Sequence, residues 1–248
     1  MKTLDYVRCN VEIADIPELC RFSLKYESMH EAWNATNNIN HLITISKIEK
    51  LLTKENLAQF AIALSERESY RISNDEVHGE VIQSAKNWMR EKSATNRKQL
   101  GNAIEKANEV CADLSKQVGE YSRLVHDEIN KAAADKNVKA PDLRKLNNLH
   151  EYTWPTRIRI KIISSGRAAA YASYYEDLND VIGATMLVVK DLCDINISIE
   201  YYSEICRMFR NIFQCPFDKF YEPLNFKEWT KRKIFDRFSR ISRRSKLD

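Results

Sequence analysis

The chain has 248 residues and a mass of 29.0 kDa, with 44% apolar and 30% charged residues, enough for one large domain or two small ones around a substantial core. Apolar runs such as Met186 to Val189 fall far short of the ~18–20 residues of a membrane span, and five glycines and five prolines leave few residues for a β-sandwich or a glycine-built phosphate loop. The net charge of +4 conceals a division, because residues 231–248 hold eight Lys or Arg against two Asp and the remainder is about −2.

In chain order, Val7 to Ile13 alternates apolar and polar residues as a half-buried strand does. A helix start follows at Asp15 and Pro17, and Ser28-x-x-Glu31 forms a capping box. Ile39, Leu42, Ile43, Ile45 and Ile48 outline a helix, and Thr53 opens another through Leu57, Phe60 and Leu64. A second capping box, Ser73-x-x-Glu76, precedes the amphipathic run from Val77 to Met89. From about Thr95, Leu100, Ile104, Ala107, Cys111, Leu114, Val118, Tyr121 and Val125 step by four and three, a heptad seam. A straight helix over 96–134 is about 58 Å long at 1.5 Å per residue, so it either bends near Gly119 or projects.

Residues 135–141 read as a linker, and Pro141 starts a short helix that Trp154-Pro155 closes. Residues 156–163 alternate and read equally as strand or helix, so a small sheet with residues 7–13 is one expectation. Ala168, Tyr171, Tyr175, Leu178, Ile182, Met186 and Val189 predict one long helix, antiparallel to the heptad helix. Ser198 begins a further helix, and 226–248 form a basic amphipathic one. The expected architecture is mainly α, a multi-helix bundle with at most two short strands. Its regions are 1–135, 142–225 and 226–248, within one compact unit.

The most concrete enzymatic pattern is His126-Asp127, since an adjacent His-Asp on a helix is how all-α HD-type phosphohydrolases present metal ligands. His78 is the upstream candidate and Asp180, Asp191 or Asp194 the downstream one. The pattern is incomplete, and no H-E-x-x-H, P-loop, G-x-S-x-G or G-x-G-x-x-G occurs. No catalytic residue, cofactor or metal ligand is assigned on this basis. Six cysteines without a C-x-x-C pair, and no apolar signal segment, point to a reducing cytoplasm; Cys111 and Cys206 read as buried, inert thiols.

The C-terminal helix joins basic residues to an apolar line of Trp229, Ile234, Phe238 and Ile241, a pattern suited to docking on protein or to binding phosphates. Tyrosines crowd the second half, where they fill a helix seam or an interface. The candidate partner contacts are Tyr174, Tyr175, Trp229, Arg237, Arg240, Arg243 and Arg244. The heptad seam packs within the chain or joins two copies.

Glu31-Ala32-Trp33-Asn34-Ala35, then Leu42 to Leu52, Leu57 to Leu64, Ile82-x-x-Ala85-Lys86-Asn87-Trp88-Met89 and the alanine-bearing helix after Gly101 follow one another in a suggestive order. Over about residues 18–125 this order resembles the helical "putative immunity protein" type found beside bacterial toxins and in phage and prophage genes. The chain departs from it at His41-Leu42-Ile43-Thr44-Ile45, where such proteins tend to be tryptophan-rich. The resemblance implies a non-enzymatic protein that sequesters a toxin, defence protein or host effector, and it transfers no catalytic residue. A nucleic-acid-binding protein using the basic helix is the alternative expectation, and a metal-dependent phosphohydrolase a more distant one.

Overall fold

A computed structural model describes residues 25–72, 75–134, 143–196 and 198–217. Residues 7–13 and 226–248, with Trp229, Arg237, Arg240, Arg243 and Arg244, lie outside the described residues. Among the described residues the secondary structure is eight α-helices and no strand. They are α1 (Met29–Ala35), α2 (Ile39–Ile48), α3 (Lys54–Ile72), α4 (Glu76–Arg90), α5 (Ala94–Ala134), α6 (Leu143–Tyr174), α7 (Leu178–Cys193) and α8 (Ile199–Ile212). The chain divides into two units, one of residues 1–36 and 214–248, the other of residues 37–213.

In the first unit, α1 is capped as its sequence demands. Ser28 Oγ accepts from the Glu31 amide at 3.1 Å, and the Glu31 carboxylate accepts from the Glu27 amide at 3.0 Å. Met29, Ala32 and Trp33 are buried, so the Glu-Ala-Trp element contributes to a core.

The second unit is organised around α6, which packs against α3, α4, α5 and α7, while α8 packs on α2, α3 and α7. Small residues make this centrality feasible. Ala168, Ala169, Ala170 and Ala172 are all buried on α6, and short side chains let several helices approach one axis. Larger groups close the periphery, where Phe60 of α3 meets Phe209 of α8 edge to face at 5.3 Å, and Phe209 stacks on Phe213 at 4.3 Å.

The seam on α5 is satisfied inside the chain at its first half, where Leu100, Ala107, Cys111 and Leu114 are buried and α4 and α6 are the packing partners. Arg97 Nη2 donates to Tyr174 Oη at 2.7 Å, Arg167 Nη1 donates to Asn108 Oδ1 at 2.6 Å, and Tyr121 stacks on Tyr152 at 4.3 Å. These pairs fix α5 and α6 as antiparallel. Glu80 of α4 pairs with Lys106, and α4 begins at Glu76, so it ends before the second half of α5. From Ser115 to Lys131 no side chain is buried, and between Glu151 and Lys161 only Thr153 is. The long helix therefore runs unbroken past Gly119, and its second half leaves the packed body with α6 as a two-helix arm.

One open reading is decided and several expectations are corrected. Residues 156–163 are helical, because Ile162 and Ile163 are buried while the intervening cations find acidic partners on neighbouring helices. Arg159 Nε donates to Asp75 Oδ2 at 2.6 Å, and Lys161 Nζ donates to Asp191 and Asp194 at 2.9 and 2.8 Å. Pro155 lies inside α6 rather than ending it. One backbone donor is lost there, but the turns on either side are anchored by Tyr152 against Tyr121 and by the buried isoleucines. The helix expected over Ala168 to Val189 is two helices. Asp177 interrupts it, its Oδ1 accepting from the Asn179 and Asp180 amides at 2.8 and 3.3 Å and so capping α7. Finally, α4 is capped by Asp75, whose Oδ1 accepts from the His78 amide at 3.1 Å; Ser73, of the expected capping box, lies outside the described residues.

Candidate binding groove

The break at Asp177 folds α7 back along α6 and leaves a groove of about 440 Å3 between them. One wall is the α6 ridge Ser164, Arg167, Tyr171 and Tyr175, spaced by three and four residues so that all four share a face. The other is the α7 ridge Asp180, Gly183, Leu187 and Lys190, and the floor is Ala168 with Ala184. Because Lys161 reaches Asp191 and α6 ends at Tyr174 just before α7 begins at Leu178, the two ridges run antiparallel. Tyr175 and Asp180 therefore lie at one end, Arg167 and Lys190 toward the other.

Aromatic and aliphatic surface is concentrated in the middle. Tyr171 and Tyr175 stack with ring centres 5.5 Å apart and planes 11° from parallel, an arrangement that aromatic pairs favour. Leu187 is 54% exposed and Tyr175 37%, whereas Leu192, farther along α7, is 1% exposed. The charged ends differ in how they are held. Arg167 donates to Asn108 Oδ1 at 2.6 Å and to Ser164 Oγ at 3.4 Å, neutral partners that fix the guanidinium without cancelling its charge. Asp191 is instead paired with Lys161, whose pKa is raised: burial works against this, but hydrogen bonds to Asp194 and Asp191 outweigh it.

Of the candidate contact residues, Tyr175 lies in this groove. Tyr174 faces the other way, toward the turn between α4 and α5. Its hydroxyl accepts from Arg97, whose guanidinium also lies 5.5 Å from the ring centre, and Trp88 is 6.1 Å away. Reading the tyrosines alone missed Arg167, Asp180, Leu187 and Lys190. Their local signal is Asp177, an acidic N-cap set within an unbroken periodicity of three and four.

The residues of the phosphohydrolase pattern are not brought together. His78 is buried and 2% exposed, inside the contact of α3, α4 and α6, while His126 and Asp127 are exposed on the arm. Since Glu80 pairs with Lys106, His126 lies roughly 20 residues, or about 30 Å, farther along the α5 axis. Among the described residues no group of three His, Cys, Asp or Glu side chains is placed to share a metal ion. Asp191 and Asp194 are held by Lys161.

His78 instead ends a buried hydrogen-bond chain. Ser165 Oγ donates to the Ile162 carbonyl at 2.8 Å, Ser65 Oγ lies 2.8 Å from Ser165 Oγ, and His78 Nε2 lies 2.8 Å from Ser65 Oγ. In the Nε2–H tautomer, His78 donates to Ser65 and Ser65 to Ser165, whose proton goes to the Ile162 carbonyl; in the Nδ1–H tautomer Ser65 donates to His78 Nε2 instead. Ser65 and Ser165 are completely buried, so no substrate reaches either hydroxyl in the folded chain. Burial lowers the His78 pKa to about 4 against the opposing pull of Asp75 and Glu66. A neutral imidazole joining three helices is what this cluster supplies.

The thiols are similarly inert. Cys111, Cys193 and Cys206 are buried and unpaired, and burial raises all three pKa values, that of Cys206 to about 11. Comparison with protein-family models, with curated proteins and with solved structures gives no match.

Proposed function

We propose that this chain acts by binding a partner protein, as an inhibitor or immunity-type factor that occupies the partner's functional surface, and that the α6–α7 groove is a contact surface. The observation that carries the reading is Leu187, exposed in the same groove of about 440 Å3 as the Tyr171–Tyr175 stack. Stacked aromatics with an open aliphatic side chain lose little entropy on binding and exclude water well, the composition of interface anchors. The resemblance over about residues 18–125 supports the same class of function. The unpaired, buried thiols fit a reducing, cytoplasmic setting, and no described helix is long and apolar enough to cross a membrane.

The test is a pull-down from host lysate with the tagged full chain, with and without nuclease, comparing wild type and Leu187→Glu. The expected result is a stoichiometric protein that survives nuclease and is lost in Leu187→Glu, whose helicity is unchanged because the side chain is exposed. Recovery of only nuclease-sensitive material overturns the reading in favour of phosphate binding by the basic residues of 231–248. Equal recovery by the variant removes the groove from it.

A further inference from the structure

Resting on the groove as a protein-binding surface, the geometry points to one kind of occupant: an amphipathic helix of a partner protein, about three turns long, with a cationic side chain over Asp180 and an anionic one over Lys190 and Arg167. The juxtaposition behind it is an apolar channel with unlike charges at its two ends.

The helical form follows from the walls. Both are faces of α-helices, α6 and α7, whose backbone donors and acceptors are used internally, so no edge is offered to an extended strand. Two antiparallel ridges with small residues between them are the surface on which a third helix packs, its apolar residues at i, i+3 and i+7 entering the channel. Asp180 and Lys190 are ten residues apart on α7, or about 15 Å, which sets the length.

The charge pattern follows from what is left uncompensated. Among the described residues, neither Asp180 nor Lys190 has an ion-pair partner, and Arg167 is held only by Asn108 and Ser164. Asp191, the acid at the basic end, is engaged by Lys161. The groove is thus negative at the Tyr175 and Asp180 end and positive toward Arg167 and Lys190. An occupant of one sign meets repulsion at one end, so a polyanion such as nucleic acid is disfavoured by Asp180. Rim charges of this kind select the partner and its register more than they add affinity.

The test uses three fluorescent peptides of about twelve residues sharing one leucine stripe. One carries an acidic and a basic end, one two acidic ends and one two basic ends. Their anisotropy is titrated with the full chain. The bipolar peptide is expected to bind about ten-fold tighter than either other, or about 1.4 kcal/mol. In Asp180→Lys the preference passes to the peptide with two acidic ends. In Leu187→Glu all three weaken by about ten-fold with unchanged circular dichroism. Equal affinity for the three peptides, still sensitive to Leu187→Glu, overturns the charge assignment and leaves the groove as a binding surface. No binding, or binding indifferent to Leu187→Glu, overturns both. Preference of the wild type for two basic ends also overturns the proposal, since the groove then suits a basic segment such as residues 226–248.

Discussion

Two stretches of the same helix pair, α5 with α6, are packed quite differently. In the body, Leu100 and Ala107 on one helix and Ile162, Ile163, Ala168, Ala169, Ala170 and Ala172 on the other are buried, α6 having four neighbouring helices there. In the arm, the seam continues in the same steps through Val118, Tyr121 and Val125, yet all three are only partly buried and Leu124 is 59% exposed. The periodicity is equal in the two regions and the burial is not. Heptad spacing therefore specifies which face a helix turns toward a neighbour, while the number of neighbours is decided by residues elsewhere, here by where α4 begins and α3 ends.

The sharpest way to break the contrast is to truncate an apolar side chain to alanine in each region. Ile162→Ala in the body is expected to cost about 2–5 kcal/mol, because a fully buried side chain leaves a cavity. Val125→Ala in the arm is expected to cost less than about 1 kcal/mol. Urea unfolding of both variants measures the difference, and equal costs would mean that the arm is as tightly packed as the body.

Acid probes the body alone. The folded His78 has a pKa of about 4 against an ordinary 6.5, so the unfolded chain takes up a proton first as the pH falls. Stability from the neutral imidazole is complete above about pH 6.5 and is lost progressively toward pH 4, a total of about 3 kcal/mol. Asp75 adds a separate loss at lower pH. Burial tends to raise its pKa, but hydrogen bonds from Arg159 and the His78 amide bring it below the usual carboxylate value. Urea midpoints between pH 7 and pH 4 should slope steeply in the wild type and much less in His78→Gln.

Glycine gives the smallest and most local comparison. A Cβ at Gly166 would lie 2.7 Å from His78 Cδ2, whereas one at Gly119 meets nothing within 4 Å. Gly166→Ala is expected to destabilise by about 1–3 kcal/mol through overpacking a ring that its hydrogen bond holds in place. Gly119→Ala is expected to stabilise by up to about 1 kcal/mol through helix propensity. Opposite signs in thermal melts support the division between body and arm, and equal signs refute it.

The helical class was legible in the sequence, as were the caps at Ser28 and Ser198, because a capping hydrogen bond spans three residues and leaves a local signature. Residues 156–163 were not, since alternation of isoleucine with Arg and Lys looks strand-like until Asp75, Asp191 and Asp194 are placed beside the cations. Those partners are 30 or more residues away in the chain. The groove was legible only at Tyr175. Its other members acquire meaning once Asp177 caps a new helix, and a periodicity of three and four runs across that break without a missed step. Likewise His78 reads as a candidate ligand by type, and only its burial against Ser65 and Gly166 makes it a structural residue.

Cys111 lies where the body gives way to the arm, its thiol 3.8 Å from the Ile160 carbonyl across the two helices. Burial keeps it protonated, and only the thiolate reacts with alkylating reagents. Its modification rate is therefore a clock for the parting of α5 from α6, whereas that of Cys206, completely buried on the inner face of α8, runs only when the core itself opens. Two native thiols thus time two different motions, and no label has to be engineered to tell them apart.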